Sequence, residues 1–295
     1  MKVIIFGSSG QDGIYLTDYL KKLAIDVIGV SRSEGQIIGS VSDFKLVSDL
    51  IEEHKPDFIF HFAAISTTRH DVLFDNHEAI STGTLNILEA VRVHSPNSKV
   101  FLSGSALQFK NTGLPINEVA AFDASSAYSV ARIHSVYAGR YYKKAFNIKI
   151  YVGYFFNHDS PLRSVQHINQ KIISVVNRIA KGSKEKLELG NIDVRKEFSY
   201  AGDVVEAIWK LVNQDIIFEA VIGSGKAYSI KEFTDYCFKK INKDYRDYLV
   251  IKQGFSPEYD VLVSDPKLIK STGWEPNVDF YKLAELMMES YDTDC

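Results

Sequence analysis

An apolar run that opens directly into three closely spaced glycines stands at the start of the chain. Val3–Phe6 has the length and composition of a buried strand, Gly7, Gly10 and Gly13 follow, and the apolar residues of 14–20 recur at helical spacing. This order predicts a strand, a tight turn and a helix. The three glycines would let the chain reverse, let a pyrophosphate approach the backbone, and let the helix pack on its strand. With the free N–H groups of the helix N-terminus facing the anion, the stretch predicts a phosphate-binding turn.

Alternating strand and helix patterns follow this turn through the first half of the chain. Strands are predicted at 26–30, 57–64, 99–102 and 149–156, and helices at 43–54, 76–94 and 126–146. Asp43 is a predicted N-cap of one of these helices, and Ser125-Ser126 can cap another. The alternation predicts an α/β fold with a Rossmann-type, doubly wound parallel sheet. It also favours a phosphate-binding role for the glycines over a purely structural turn.

The pattern changes after residue 157. Helices are predicted at 165–180, 203–212, 230–241 and 280–291, and short strands at 186–189 and 220–222. We therefore predict an NADP-binding domain over 1–157 and a smaller substrate-binding α/β lobe over 158–295. The chain is expected to cross back between the lobes, with a cleft between them.

Composition and charge exclude several classes of partner. The chain has 295 residues and a formal net charge of −3, so it carries no overall electrostatic footprint for nucleic acid or an anionic membrane. No apolar run approaches the length of a membrane span. The two cysteines, Cys237 and Cys295, cannot form a disulfide framework and fit a reducing compartment. We expect a cytoplasmic protein.

The residue after the second predicted strand bears on the choice of cofactor. In a dinucleotide-binding fold this strand end meets the adenosine ribose, where an acidic side chain favours NAD and an arginine favours the extra phosphate of NADP. Arg32 stands at this place. NADP is therefore the expected cofactor, with NAD still open. The alternative is that Arg32 is an ordinary solvated loop cation.

Three residues in the middle of the chain form a candidate catalytic group. Tyr128 and Arg132 are four residues apart on a predicted helix, so their side chains are adjacent on one face. A tyrosine can exchange a proton with a hydroxyl or carbonyl group near neutral pH only if a neighbouring cation lowers its pKa from about 10. Ser105, at the end of the preceding strand, could hydrogen-bond the same substrate oxygen. The alternative for Tyr128 and Arg132 is an ordinary cation–π pair.

Short motifs over nearly the whole chain resemble one family. They include Gly10-Gln11-Asp12-Gly13, Arg32-Ser33, Phe62-Ala63-Ala64, Gly83-Thr84-Leu85, Phe156-Asn157-His158-Asp159-Ser160-Pro161, Gly190-Asn191-Ile192-Asp193, Asp265-Pro266 and Gly273-Trp274. In these motifs the sequence resembles the extended short-chain dehydrogenase/reductase (NAD-dependent epimerase/dehydratase) superfamily. It is most similar to the GDP-mannose 4,6-dehydratase group of nucleotide-sugar-modifying enzymes. The resemblance implies a nicotinamide cofactor and a nucleotide-sugar substrate, with GDP as the expected nucleotide.

The resemblance also implies a role for each matching position. The cofactor would be held by pyrophosphate-binding, phosphate-binding and wall residues, namely Gly7, Gly10, Gln11, Asp12, Gly13, Arg32, Ala63 and Ala64. Ser105 matches the family's serine or threonine and Tyr128 its catalytic tyrosine. Arg132 stands where the family has a lysine, and would hold the nicotinamide ribose. The nucleotide diphosphate and base of the substrate would meet Asn157, Arg163, Lys171, Arg195 and Lys196.

Several positions depart from the family pattern. Arg132 keeps a positive charge but cannot give up its proton at neutral pH, unlike a lysine. The glutamate that would remove the proton beside the keto carbon in a dehydratase aligns with Leu107. Ser40 stands where the family has an acidic residue near the adenine. Ser256 and Lys196 stand where it has two arginines near the substrate. Substrate anchoring is therefore altered.

Because Leu107 replaces the carboxylate, the sequence favours hydride transfer at C4 of the sugar with net 4-keto reduction or dehydrogenation. Three alternatives stay open. A GDP-mannose 4,6-dehydratase would need a substitute carboxylate such as Glu118. An epimerase is possible on the same scaffold. A catalytically weakened paralogue would bind NADP(H) and a nucleotide sugar as a regulatory or partner subunit.

Two further expectations concern assembly and metals. The long helices predicted at 76–94 and 126–146 are where this superfamily usually pairs, so a homodimer is expected. His61 and His158 lack partners at metal-ligand spacing, and both are interpreted as structural. No metal site is expected.

Overall fold

A large parallel sheet lies at the centre of the computed structural model, which describes residues 1–254 and 256–289. The first half of the chain forms, in order, β1 (Lys2–Phe6), α1 (Gln11–Lys22), β2 (Asp26–Ser31), β3 (Ile37–Ile38), α2 (Phe44–His54), β4 (Phe58–His61), α3 (Leu73–Asn76), α4 (Gly83–His94), β5 (Lys99–Ser105), α5 (Ala127–Phe146) and β6 (Lys149–Phe155).

The second half has shorter strands. It forms β7 (His158–Asp159), α6 (Ile168–Ala180), β8 (Leu187–Leu189), β9 (Arg195–Glu197), β10 (Ser199–Tyr200), α7 (Ala201–Val212), β11 (Glu219–Ile222), β12 (Ala227–Ser229), α8 (Ile230–Lys240), β13 (Leu249–Ile251), β14 (Val261–Leu262), α9 (Lys267–Lys270) and α10 (Phe280–Glu289).

Within the described residues, seven strands form one sheet in the order β11-β6-β5-β4-β1-β2-β3. Every neighbouring pair is parallel. The chain winds outward from β1 in both directions, which confirms the predicted doubly wound Rossmann-type fold. Because the winding direction reverses between β1 and β4, the carboxyl ends of these strands part and leave a crevice.

Successive side chains of β1 enter two different apolar cores, as the alternation along a strand requires. Ile4 and Phe6 pack with α2, α4 and α5 on one face of the sheet. Val3 and Ile5 pack with α1 and α7 on the other. β1 is therefore an uninterrupted apolar run because both of its faces are covered.

After residue 157 the chain contributes to both parts of the molecule. β11 pairs with β6 and extends the main sheet, since Ala220, Val221 and Ile222 are fully buried. A separate apolar core lies among α6, α8 and α10. The division at residue 157 stays a prediction. The chain after this residue also supplies β11 to the seven-stranded sheet and α7 to one face of it.

The predicted N-caps are confirmed. Asp43 accepts a hydrogen bond from the Leu46 N–H at 3.2 Å, and Ser126 Oγ accepts one from the Ser129 N–H at 3.1 Å. These bonds satisfy N–H groups that have no partner inside the helix.

One predicted helix, at 76–94, is wrong in its continuity. A π-helical segment, His77–Thr82, separates α3 from α4. The wider turn lets Ala79, Ile80 and Ser81 be buried in succession, which amphipathic α-helical spacing does not allow.

Two further features bear on the remaining predictions. Cys237 is buried in α8, whereas residues 290–291 of the predicted last helix and Cys295 lie outside the described residues. Over 1–254 and 256–289, no helix is both long and apolar enough to cross a bilayer.

The glycine turn is held by close backbone packing. Gly7 has φ +89°, a conformation that favours glycine, and the N–H groups of Gly7 and Ser8 donate to the Val30 carbonyl at 2.9 and 3.2 Å. A Cβ atom at Gly7 would lie 2.6 Å from Ala63 N, and one at Gly13 would lie 2.3 Å from the Gly7 oxygen. The packing therefore requires glycine at both positions.

We predict that Gly13→Ala lowers the free energy of unfolding by about 1–3 kcal/mol, because the added methyl group overpacks rigid backbone. Gly10→Ala is the matched control, since its Cβ would lie 3.4 Å from the same Gly7 oxygen, an ordinary contact. Urea denaturation of both variants measures the difference. Equal stability of the two variants would contradict the packing argument.

Candidate active site

A cavity of about 450 Å³, which we call the main cavity, opens at the carboxyl ends of β1, β4 and β5. The glycine turn, the end of β5, the start of α5, and later residues at 155–167 and 258–262 line it. A second cavity, of about 200 Å³, starts at the same turn and passes the end of β2. Both cavities are lined by Gly7, Gly10 and Ala64, so an elongated ligand can cross the turn from one to the other.

Most predicted site residues line these two cavities. The main cavity is lined by Gly7, Gly10, Gln11, Asp12, Gly13, Ala64, Ser105, Tyr128, Arg132, Asn157 and Arg163. The second cavity is lined by Arg32, Ala63 and Ser40, together with Gly7, Gly10 and Ala64. Strand ends and helix starts that are far apart in sequence meet here because parallel strands end at one edge of the sheet.

Tyr128 and Arg132 are adjacent, as the helical spacing predicts. Arg132 Cζ lies 5.1 Å from the centroid of the Tyr128 ring. Arg132 Nη1 donates to Ser103 Oγ at 2.7 Å and also to the Ser103 carbonyl. The guanidinium is buried, and among the described residues no carboxylate pairs with it. The arrangement holds a fixed positive charge beside the phenol; because a cation–π pair has the same geometry, the catalytic role stays a prediction.

His61 is buried next to the residue that holds Arg132 and lines neither cavity. Its ring is buried, and Ser103 Oγ donates to the His61 carbonyl at 2.8 Å. Burial, with the charge of Arg132 as a second cause, lowers the pKa of His61 to about 3. The His61 imidazole is therefore neutral near neutral pH, and Arg132 supplies the positive charge next to Tyr128.

Ser105 ends β5 with its side chain at the cavity. Its Oγ accepts a hydrogen bond from the Leu107 N–H at 3.2 Å, which leaves the hydroxyl hydrogen for another acceptor. Leu107 also lines the main cavity. The wall is therefore apolar at the position where the resemblance expects a glutamate.

Glu118, the expected substitute carboxylate, lies elsewhere. Its Oε1 accepts a hydrogen bond from the Val221 N–H at 2.7 Å, at strand β11. Burial raises the pKa of Glu118, and the hydrogen bond from Val221 opposes that rise. The expectation that Glu118 serves the cavity is wrong, because this carboxylate satisfies the backbone of the sheet.

Cationic groups gather on the opposite side of the cavity, around Asp159. Arg163 Nε lies 3.6 Å from Asp159 Oδ1. Lys196 is buried behind them, and burial lowers its pKa although the charge of Asp159 opposes this. His167 lines the cavity, and burial together with the charge of Arg163 lowers its pKa. One carboxylate faces two cations, so this wall suits an anion.

Besides Lys196, which lines neither cavity, two further predicted substrate residues lie outside both cavities. Lys171 donates to the Glu188 carbonyl at 2.6 Å and lines a separate depression beside α6. Arg195 is exposed, donates to the Ala227 carbonyl at 2.8 Å and lies 3.3 Å from Glu232. Their predicted contact with substrate stays a prediction.

The structure adds residues that the sequence did not single out. Tyr259 lines the main cavity, and its hydroxyl donates to Asn157 Oδ1 at 3.5 Å. Burial raises the pKa of Tyr259 to about 12, so the hydroxyl stays protonated. Glu258 and Thr68 also line the cavity and are hydrogen-bonded to each other. Their separation of 190 residues gives no periodic or motif signal that could have joined them.

The geometry fits a dinucleotide and gives no support for a metal. Gly7 and Gly13 form a cradle that side chains would fill, and α1 begins at this cradle with Gly10 as its N-cap. Such a helix start binds a pyrophosphate. Among residues 1–254 and 256–289, no group of three or more histidine, cysteine, aspartate or glutamate side chains is arranged to hold a metal ion.

The fold and these cavities define a nucleotide-sugar-modifying, NAD(P)-dependent enzyme of the extended short-chain dehydrogenase/reductase superfamily. Within that superfamily the chain belongs to the GDP-mannose 4,6 dehydratase family, whose family model matches residues 4–287. It is 29% identical over 318 aligned residues to GDP-mannose 4,6 dehydratase 1 of Arabidopsis thaliana, covering 97% of this chain and 88% of the relative.

Solved structures share the fold. The chain superimposes with a TM-score of 0.87 on dTDP-glucose 4,6-dehydratase from Bacillus anthracis in complex with NAD, at 16% identity and covering 100% and 97% of the two chains. It superimposes with a TM-score of 0.87 on RMD from Pseudomonas aeruginosa complexed with NADPH, at 18% identity and covering 100% and 98%. At these identities the likeness shows the fold alone.

We predict that Arg32→Ala weakens NADP⁺ binding about tenfold or more, because it removes a cation expected to meet the extra phosphate. The affinity for NAD⁺ should change less than twofold. Isothermal titration with both dinucleotides measures this, and Arg69→Ala, which removes an exposed arginine paired with Asp71, is the control. An equal loss for both dinucleotides would contradict the assignment.

Proposed function

We propose that this chain is an NADP-dependent enzyme acting at C4 of a GDP-linked hexose. The observation that carries the proposal is that Ser105, Tyr128 and Arg132 line one cavity with the glycine turn. Membership of the GDP-mannose 4,6 dehydratase family supports the GDP-linked substrate. Arg32 in the second cavity supports NADP over NAD.

NADP, when bound across the turn, would supply or accept the hydride at C4. The Tyr128 hydroxyl gives or takes the proton of the C4 oxygen, and Ser105 Oγ hydrogen-bonds that oxygen. Arg132, fixed on Ser103, stabilises a tyrosinate electrostatically. Because an arginine keeps its proton at neutral pH, Arg132 does not relay one.

The anion-binding wall is the proposed place of the diphosphate. Arg163 would meet it directly from the cavity, with Lys196 adding charge from behind. Asn157, held by Tyr259, would hydrogen-bond the sugar or diphosphate. Lys171 and Arg195 serve the nucleotide only if the base extends beyond the main cavity towards α6.

Two net reactions compete on this scaffold. The names of the curated relatives support 4,6-dehydration of GDP-mannose better than reduction. The cavity itself supports reduction or dehydrogenation, because Leu107 stands where dehydration needs a carboxylate. Of the carboxylates in this cavity, Asp12 is paired with His158, which leaves Glu258 beside Leu107 as the candidate for a dehydratase. We propose 4-keto reduction as the net reaction and dehydration as the second candidate.

We also propose a cytoplasmic homodimer formed through α4 and α5. These helices pack on each other and carry large exposed apolar side chains, namely Leu85, Val93, Val130, Tyr137 and Tyr141. Exposed apolar residues grouped on neighbouring helices are typical of protein interfaces.

The net reaction is tested with two substrates. We predict that the purified protein oxidises NADPH in the presence of GDP-4-keto-6-deoxymannose and yields a reduced deoxyhexose by mass spectrometry. Tyr128→Phe should abolish this turnover, because it removes the proton donor and leaves the ring. Unchanged turnover in Tyr128→Phe would overturn the mechanism.

The second substrate separates the two candidates. Loss of water from GDP-mannose, without net consumption of added NADPH, would establish the dehydratase in place of the reductase. In that case Glu258→Gln tests whether the carboxylate beside Leu107 takes part. A protein that binds NADPH but converts neither sugar would be the weakened paralogue.

The substitution Arg132→Lys tests whether arginine is the working residue. We predict that it lowers kcat about tenfold or more, because a lysine cannot make the same hydrogen-bonded contact with Ser103. Substrate KM should change little. Raised turnover in Arg132→Lys would instead show that lysine serves this site better than the arginine that is present.

A further inference from the structure

Two side-chain hydrogen bonds join the start of α1 to the loop that follows β6. His158 Nε2 lies 2.8 Å from Asp12 Oδ1, and Ser160 Oγ donates to Gln11 Oε1 at 2.8 Å. Gln11 and Asp12 are the first two residues of α1, directly after the glycine turn. The two sites assigned to cofactor and nucleotide sugar are therefore in direct contact through three buried side chains and the half-buried Asp12.

The hydrogen-bond partners of His158 fix its protonation. Nδ1 lies 2.9 Å from the Phe156 carbonyl oxygen, which can only accept a hydrogen bond. Nε2 faces the Asp12 carboxylate, which is also an acceptor when ionised. Both ring nitrogens must therefore carry a hydrogen, so His158 is an imidazolium paired with a carboxylate.

The surrounding charges agree with this assignment. Burial works against the charge of His158, but the charge and hydrogen bond of Asp12 outweigh it and raise the pKa of His158, with Arg163 in opposition. Burial likewise opposes ionisation of Asp12, yet His158 and then Arg163 lower its pKa to about 2. His167 also feels the charge of His158. Each member of the pair therefore stabilises the ionised form of the other.

The position of the pair gives it a function beyond stability. Asp12 follows the turn that would bind the pyrophosphate, while Asn157 and Arg163 flank His158 and line the main cavity. Without the imidazolium, the loop keeps only the Ser160–Gln11 hydrogen bond to α1, and a carboxylate with 19% side-chain exposure loses its paired charge beside the proposed phosphate site.

We propose that the Asp12–His158 ion pair couples the cofactor turn to the nucleotide-sugar loop, so that each ligand strengthens binding of the other while His158 is protonated. This inference rests on the proposed function for the identity of the two ligands. It assigns His158 a positioning role, whereas the sequence analysis interprets this residue as structural.

The test measures the affinity for GDP by isothermal titration with and without saturating NADP⁺, at pH 6. In the native protein NADP⁺ should strengthen GDP binding about tenfold, a usual size for such coupling. Asp12→Asn and His158→Gln should each reduce the factor by which NADP⁺ strengthens GDP binding to about one. The double variant should have the same factor as either single variant. His94→Gln, which removes a half-buried histidine 3.6 Å from Glu52 at the end of α4, should retain the full factor.

The pH dependence provides an independent readout. Because the pKa of His158 is raised in the folded protein, the coupling should be present at pH 6 and be lost as pH rises through that pKa. The double variant should show no such loss. Selective ¹⁵N spectra of the His158 ring should show both nitrogens protonated at pH 6.

The outcomes separate this inference from the proposed function. If the native protein binds NADP⁺ and GDP independently, or if His158→Gln keeps the coupling, the inference is overturned and the proposed function stands. If the native protein binds neither ligand, the proposed function fails. The ¹⁵N spectra and a double-mutant cycle on unfolding free energy then decide whether the charged pair exists, and a neutral His158 would overturn it.

Discussion

The backbone contact between α1 and the end of β1 is the constraint on which both cavities depend. Gly13 lies against the Gly7 carbonyl and Gly7 against the end of β4, so α1 starts inside the crevice where β1 and β4 part. One consequence is that the N–H groups at the start of α1 face the cavities. Another is that Gln11 and Asp12 reach the loop after β6. A side chain at Gly7 or Gly13 would displace α1. The displacement would disturb both the turn that lines the cavities and the contacts of Gln11 and Asp12 with the loop after β6.

Features set by local sequence could be predicted. Strand and helix periodicity, the turn glycines and the N-caps Asp43 and Ser126 depend on neighbours within a few residues, and the structure agrees with them. The site on strand ends was also predictable. Ser105 and Asn157 meet the glycine turn because a doubly wound parallel sheet brings its strand ends to one edge.

Features set by distant contacts could not be predicted. Tyr259 and Glu258 line the cavity from the segment just before β14, about 100 residues or more along the chain from the other lining residues except Leu262 and those at 155–167. Glu118 has the right chemistry for an acid, yet a backbone N–H of β11 fixes it elsewhere. The charge of His158 follows only from knowing which two acceptors its ring nitrogens face. Sequence identity gives the residue, and tertiary contacts decide its partners.

The two departures at the reacting centre act on different steps of the chemistry. Arg132 preserves the positive charge beside Tyr128, which gives the proposed hydride transfer at C4 electrostatic support even though proton relay through this residue is lost. Leu107 removes a proton acceptor from the wall, which affects only a reaction that must also take a proton from carbon. Elimination of water depends directly on a carboxylate, whereas the tyrosine needs only a neighbouring positive charge. Here the charge is kept and Leu107 stands at the expected carboxylate position, a combination that suits the proposed reduction better than dehydration.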